Sequence, residues 1–124
     1  MQSYLALATF NSEQGSFLET YIAFDVNTLI LSELNEFFYG EINIQINISN
    51  KDEIIYTNHY ILESPPFLNK ENNNLFFFDQ QRIPLSNGDY TIKIVVFDKQ
   101  DHKNIKEHTQ KFVVDYSNMV AMST

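Results

Sequence analysis

Apolar and polar residues alternate with a period of two through most of this chain, and that period predicts β-strands. The clearest case is Phe38–Ser49. There Ile42, Ile44, Ile46 and Ile48 face one way, while Asn43, Gln45, Asn47 and Ser49 face the other. A strand of this kind belongs to a sheet with one wet face. Phe17–Asp25 alternates too. Leu18, Ile22 and Phe24 share a face on which Thr20 is the exception, and Phe17, Glu19, Tyr21 and Ala23 take the opposite face. Five further strands are predicted over Tyr4–Phe10, Ile54–Leu62, Leu75–Ile83, Asp89–Asp98 and Ile105–Tyr116. Ile54–Leu62 is apolar on both faces, with Ile54, Tyr56, Tyr60 and Leu62 against Ile55 and Ile61. No stretch carries a convincing helical period.

The breaks between strands are polar. Asn11–Ser16, Asn50–Asp52 and Lys99–Asn104 read as turns, and Glu63–Asn74 reads as a long loop because Pro65-Pro66 and the asparagine run resist regular pairing. Val26–Asn35 is either a connection or an irregular edge. Within Phe76–Asp98, Pro84 ends one strand for want of an N–H, and Asn87-Gly88 supplies a tight turn. Tyr90 then opens the next strand, with Tyr90, Ile92, Ile94 and Val96 on one face. A tyrosine so placed fits the tyrosine corner of Greek-key sandwiches.

Seven short strands without helices predict an all-β fold: an antiparallel, Greek-key β-sandwich of the Ig-like or fibronectin-III-like kind. A closed barrel ranks second, since strand glycines for barrel corners are few. The predicted core is Leu18, Ile22, Phe24, Ile42, Ile44, Ile46, Phe77, Ile92, Ile94, Val96, Phe112 and Val114. Tyr90 is expected to be largely buried, with its hydroxyl bonded to backbone near the corner. Residues 1–116 form one domain, and 117–124 read as a tail or the start of a linker to a further domain.

Composition narrows the function. The 124 residues are 44% hydrophobic and 15% aromatic, which excludes a disordered chain. A net charge of −8 disfavours nucleic acid as a partner. The absence of cysteine excludes a disulfide scaffold, a thiolate metal site and a cysteine nucleophile. No segment resembles a membrane span, so insertion by this segment is not expected.

The chemistry-bearing residues form no motif. His59, His102 and His108 lack metal-ligand spacing. Asp25, Asp79, Asp98 and Asp101 lie where sandwich ends could hold calcium, but Lys99 interrupts that set. They read more simply as strand-end and turn residues that cap backbone amides. Glu19, Glu41 and Glu53 fall at solvent-like positions or turn edges, which gives a paired-carboxylate glycosidase little support. Asn47-Ile48-Ser49 has the form of a glycosylation sequon inside a strand and reads as accidental. No catalytic, cofactor or metal residues are therefore assigned, and the chain is not expected to be an enzyme. The surplus lies in aromatics: Tyr21, Phe76, Phe78 and Phe97 sit opposite their strands' apolar faces, or in a strand with rings on both, and form a candidate interaction surface. Leu75 and Phe77 read instead as covered. Pro84, Asn87, Gly88 and Tyr90 read as the structural corner.

Three stretches carry a resemblance. They are ATFNSEQGSFLETYIAFDVNTL (Ala8–Leu29), YILESPP (Tyr60–Pro66) and FFFDQQRIPLSNGDYTIKIVVFD (Phe76–Asp98). In this order they resemble the N-terminal region of the GWxTD-motif proteins of Bacteroidetes. The most specific parts are the F-L-E-T-Y-I-A-F-D strand and the F-x-D-Q-Q-R-x-x-L-x-N-G-x-Y corner. Asp25 is followed by Val26-Asn27 where the family often has a glycine turn. The GWxTD motif itself is not in this sequence, so the resemblance implies one Ig-like domain of a longer, exported protein, in the periplasm or associated with the outer membrane. It brings no catalytic residue with it. The expected role is a non-catalytic interaction or spacer module, with other domains of the parent chain or another envelope protein as partner. The alternative is carbohydrate binding through exposed aromatics, and a hydrolase ranks last.

Overall fold

The computed structural model describes residues 1–12, 15–68 and 76–115. The predicted Leu75 strand start, residues 69–74 of the expected long loop, residues 13–14 of the expected Asn11–Ser16 turn, Tyr116 and the 117–124 tail lie outside these residues. Nine strands are found among the described residues: β1 (Ser3–Ser12), β2 (Gly15–Asp25), β3 (Ser32–Leu34), β4 (Phe37–Tyr39), β5 (Glu41–Asn50), β6 (Glu53–Glu63), β7 (Phe76–Pro84), β8 (Gly88–Asp98) and β9 (Asp101–Val114). One 3₁₀ turn, Val26–Thr28, follows β2.

All pairing is antiparallel. One sheet has the order β1-β2-β7, a second has β6-β5-β8-β9, and β3-β4 form a separate hairpin. The two larger sheets face each other across one core. Leu18, Ile22 and Phe24 of β2 with Phe77 and Ile83 of β7 meet Ile42, Ile44, Ile46 and Ile48 of β5 and Ile92, Ile94 and Val96 of β8. Each such side chain contributes about 1.5–3 kcal/mol when removed from water. The predicted core is buried as expected except Phe112, which is half-buried and stacks on Tyr90 at 5.5 Å between ring centroids. Thr20 does face this core, and its hydroxyl has no hydrogen-bond partner among the described residues.

The Tyr90 corner forms as expected. Tyr90 is buried and its hydroxyl donates to the Ser86 carbonyl at 2.7 Å. Gly88 lies under the ring: a Cβ there would sit 3.3 Å from the Tyr90 Cζ and 3.1 Å from the Asn50 side-chain nitrogen.

Several boundaries differ from expectation. The Phe38–Ser49 strand is interrupted at Gly40, whose N–H donates to the Ser64 hydroxyl and whose carbonyl accepts from the Ser64 N–H. The chain crosses there from the β3-β4 hairpin into the core sheet, with Phe38 bridged to Phe67. Val26–Asn35 resolves into the 3₁₀ turn and half of that hairpin. Asn11, Ser16 and 101–104 belong to strands, since β1, β2 and β9 run longer than the alternation suggests. At the β5-β6 turn, Lys51 and Asp52 both take positive φ, 49° and 67°, the pattern of a two-residue I′ turn. Asn35 and Glu36 do the same in β3-β4.

Polar contacts tie both open long sides of the sandwich. On the β6/β7 side Tyr60 donates to the Asp79 carboxylate. On the β1/β9 side the Ser3 hydroxyl meets His108 Nε2 at 3.1 Å, and Lys106 Nζ donates to the Ser3 carbonyl at 3.2 Å.

Candidate functional site

Antiparallel register puts cross-strand partners on the same face of a sheet. The outer face of the three-stranded sheet therefore reads as a stack of rows across β1, β2 and β7. In order they are Tyr4–Ala23–Phe78, Ala6–Tyr21–Gln80, Ala8–Glu19–Arg82 and Phe10–Phe17–Pro84. Phe76 extends the first end beside Asp25. Tyr4, Phe10, Phe76 and Phe78 are exposed, Phe78 at 74%. Tyr21 is half-buried among them.

Glu19 lies in the middle of this face and is only 3% exposed. Its solvent-like position in the alternation is thus corrected. Period two assigns a face, and neighbouring side chains decide depth. Three donors close over the carboxylate: the Tyr21 hydroxyl, Gln80 Nε2 at 3.2 Å and Arg82 Nε at 2.7 Å. Arg82 also lies over the Phe17 ring, 5.1 Å from its centroid, and Phe10 stacks on Phe17 at 5.4 Å. The Arg82 side chain stays 67% exposed, so this ion pair is sealed on one side and wet on the other.

Of the four aromatics singled out in the sequence, Tyr21, Phe76 and Phe78 share this face. Phe97 does not join them. It lies on the outer face of the other sheet, paired with Asn43 and Ile105, with the His102 ring against it edge-on at 5.2 Å. Alternation places a residue on one face of its own strand and says nothing about which sheet that strand joins. Tyr4, Gln80 and Arg82 were missed. A signal existed for Arg82 and Gln80 in their i, i+2 and i, i+4 spacing from Phe78.

The remaining candidates have structural partners. Asp25 accepts from the Asn27 N–H at 3.0 Å, and Asp101 from the Lys103 N–H at 3.2 Å. Asp98 accepts from the Ile30 N–H at 2.7 Å and the Gln100 N–H at 3.0 Å, tying the connection after β2 to the β8-β9 turn. Asp79 is not a strand-end residue: it lies inside β7, faces inward and is nearly buried. Among the described residues no cluster of three His, Cys, Asp or Glu could hold a metal ion. His59 Nε2 lies 3.2 Å from the Asn43 side-chain oxygen. The Ser3–His108 pair has a nucleophile's atoms, but Ser3 is buried at 1% exposure. Burial holds the His108 imidazole below its ordinary value, and the Lys106 charge adds to that. Asn47 accepts from the Thr57 hydroxyl at 2.7 Å across the β5-β6 pair.

The chain matches no family model, no curated protein and no solved structure. Among the described residues no helix is long and apolar enough to cross a membrane.

Proposed function

We propose that this domain is a non-catalytic interaction module, acting through the outer face of its three-stranded sheet. The observation that carries the reading is three exposed rings at one end of that face, Tyr4 on β1 and Phe76 and Phe78 on β7. Large apolar rings gathered in the open at one end of a sheet face are the kind of surface that partners cover.

The module is an Ig-like or fibronectin-III-like sandwich. Support comes from the three-on-four strand order and from the tyrosine corner at Tyr90. Membership of the GWxTD-motif family, and with it export to the periplasm or outer membrane, rests on the resemblance alone. The F-L-E-T-Y-I-A-F-D stretch forms the middle strand of the proposed contact face, and the Q-Q-R triplet supplies Gln80 and Arg82 to it. Partners are other domains of the parent protein or another envelope protein.

The test is site-specific photocrosslinking in the full-length gene product within its native envelope. A crosslinker in place of Phe78 is expected to capture a neighbour, intramolecular or intermolecular. One at Thr57, on the outer face of the other sheet, is expected to capture nothing. Capture at neither position overturns the reading.

A further inference from the structure

We infer that the Tyr4–Ala23–Phe78 row is a binding site for a sugar ring of a neutral polysaccharide, with Tyr21, Gln80 and Arg82 reading its hydroxyls. This rests on the interaction reading above and names the ligand class.

Tyr4 and Phe78 stand on either side of Ala23, in strands two apart. Two interstrand spacings separate their backbones by about 10 Å. The two rings thus flank a floor no taller than the Ala23 methyl, and Ala6 keeps the adjoining position low as well. A pyranose has thin C–H faces and a rim of hydroxyls. Aromatic rings suit the faces, and directed polar groups suit the rim.

The polar groups lie in the next two rows and are held from beneath. Glu19 takes one hydrogen bond from each of Tyr21, Gln80 and Arg82. Each has capacity left over after that bond. The Tyr21 oxygen can accept, the Gln80 Oε1 can accept, and the Arg82 Nη amines can donate. A hydroxyl both donates and accepts, so this set matches vicinal sugar hydroxyls. An apolar protein surface would leave the same groups without partners. Sealing a carboxylate is costly, and its return here is the fixed direction of three polar side chains beside exposed rings.

Charge favours a neutral ligand. Glu19 and Arg82 cancel, Asp25 adds a negative charge at the Phe76 end, and the whole chain carries −8. Uronate-rich or sulfated glycans meet long-range repulsion, whereas neutral ones do not.

The test is affinity electrophoresis in native gels containing laminarin, xyloglucan, galactomannan or soluble starch, with polygalacturonate as the anionic control. At least one neutral polysaccharide is expected to retard the protein. Phe78→Ala and Tyr4→Ala are each expected to weaken that retardation by about tenfold, the scale of one lost stacking contact with its burial. Val113→Ala, on the outer face of the other sheet, is expected to leave it unchanged. Both Phe78 and Tyr4 are exposed, so their truncation spares the fold. The inference is overturned by no retardation in any neutral gel, by retardation undiminished in Phe78→Ala, or by retardation in polygalacturonate alone. Crosslinking at position 78 with four silent gels would remove the sugar and keep the interaction reading.

Discussion

Tyr60 reaches from β6 of one sheet to donate its phenolic hydrogen to Asp79 in β7 of the other. Asp79 is nearly buried, and its other oxygen accepts from Gln81 Nε2 at 3.2 Å. Tyr60→Phe deletes one of two donors to a carboxylate shut away from water. We expect a loss of about 1–3 kcal/mol, the cost of leaving such a group short of a partner. Urea denaturation checks this, and Tyr60→Phe with Asp79→Leu should recover part of the loss. Burial, then the bond to Asp79, push the Tyr60 phenol far above its ordinary value. A raised value means the folded state resists ionisation. Its stabilisation is complete below about pH 10 and is lost as pH climbs beyond the unfolded-state value. The fall in urea midpoint from pH 9 to pH 11 should be smaller in Tyr60→Phe than in the native protein.

His108 has the opposite dependence. Its value is lowered, first by burial and then by Lys106. The unfolded chain therefore binds the proton more readily. The stabilisation is complete above the ordinary histidine value near pH 6.5 and declines as pH falls below it. The drop in urea midpoint between pH 8 and pH 5 should shrink in His108→Gln. Equal drops in the two proteins would refute the assignment.

Phe77 and Phe78 are neighbours on opposite faces of β7. Phe77 packs on Phe24 with ring centroids 5.3 Å apart, whereas Phe78 points to solvent. Phe77→Ala should cost about 3–5 kcal/mol through the cavity it leaves. Phe78→Ala should change stability by about 0.5 kcal/mol or less. Thermal denaturation of the pair distinguishes them; similar costs would mean that the register of β7 is wrong.

Tyr90→Phe removes the hydroxyl that donates to the Ser86 carbonyl and keeps the ring. The expected loss is about 0.5–1.5 kcal/mol. Gly88→Ala brings a methyl group against that ring and against the Asn50 side chain. In the Tyr90→Phe background the hydroxyl at 3.3 Å is gone, so Gly88→Ala should cost less there than in the native protein. A double-mutant cycle measures the difference, and strict additivity would show that the two positions do not press on each other.

The long strands and the corner were legible because period two and turn chemistry act locally. Ile42 to Ile48 announces a half-wet strand with no help from the rest of the chain. The β3-β4 hairpin was not legible, because its Asn35-Glu36 turn lacks glycine and its strands are three residues long. The break at Gly40 was masked by apolar residues that continue on both sides of it, and its cause is Ser64, far along the chain. Period two puts Thr20 on the core face as its polar exception, and the packed sheets add that it is fully buried there. The candidate site suffered most from the same limit. Tyr21, Phe76 and Phe78 could be found as misplaced rings. Gathering them with Tyr4 and parting them from Phe97 required the strand order, which depends on pairings across the whole sequence. Glu19 looked wet because burial on an outer face is set by what leans over it.

The two polar ties on the sandwich's open sides respond to opposite ends of the pH scale. Acid loosens the Ser3–His108 side, and alkali loosens the Tyr60–Asp79 side. In either case the other tie remains as a spine. The first opening of this domain would then be a hinged parting of two leaves, along a side that the solvent selects.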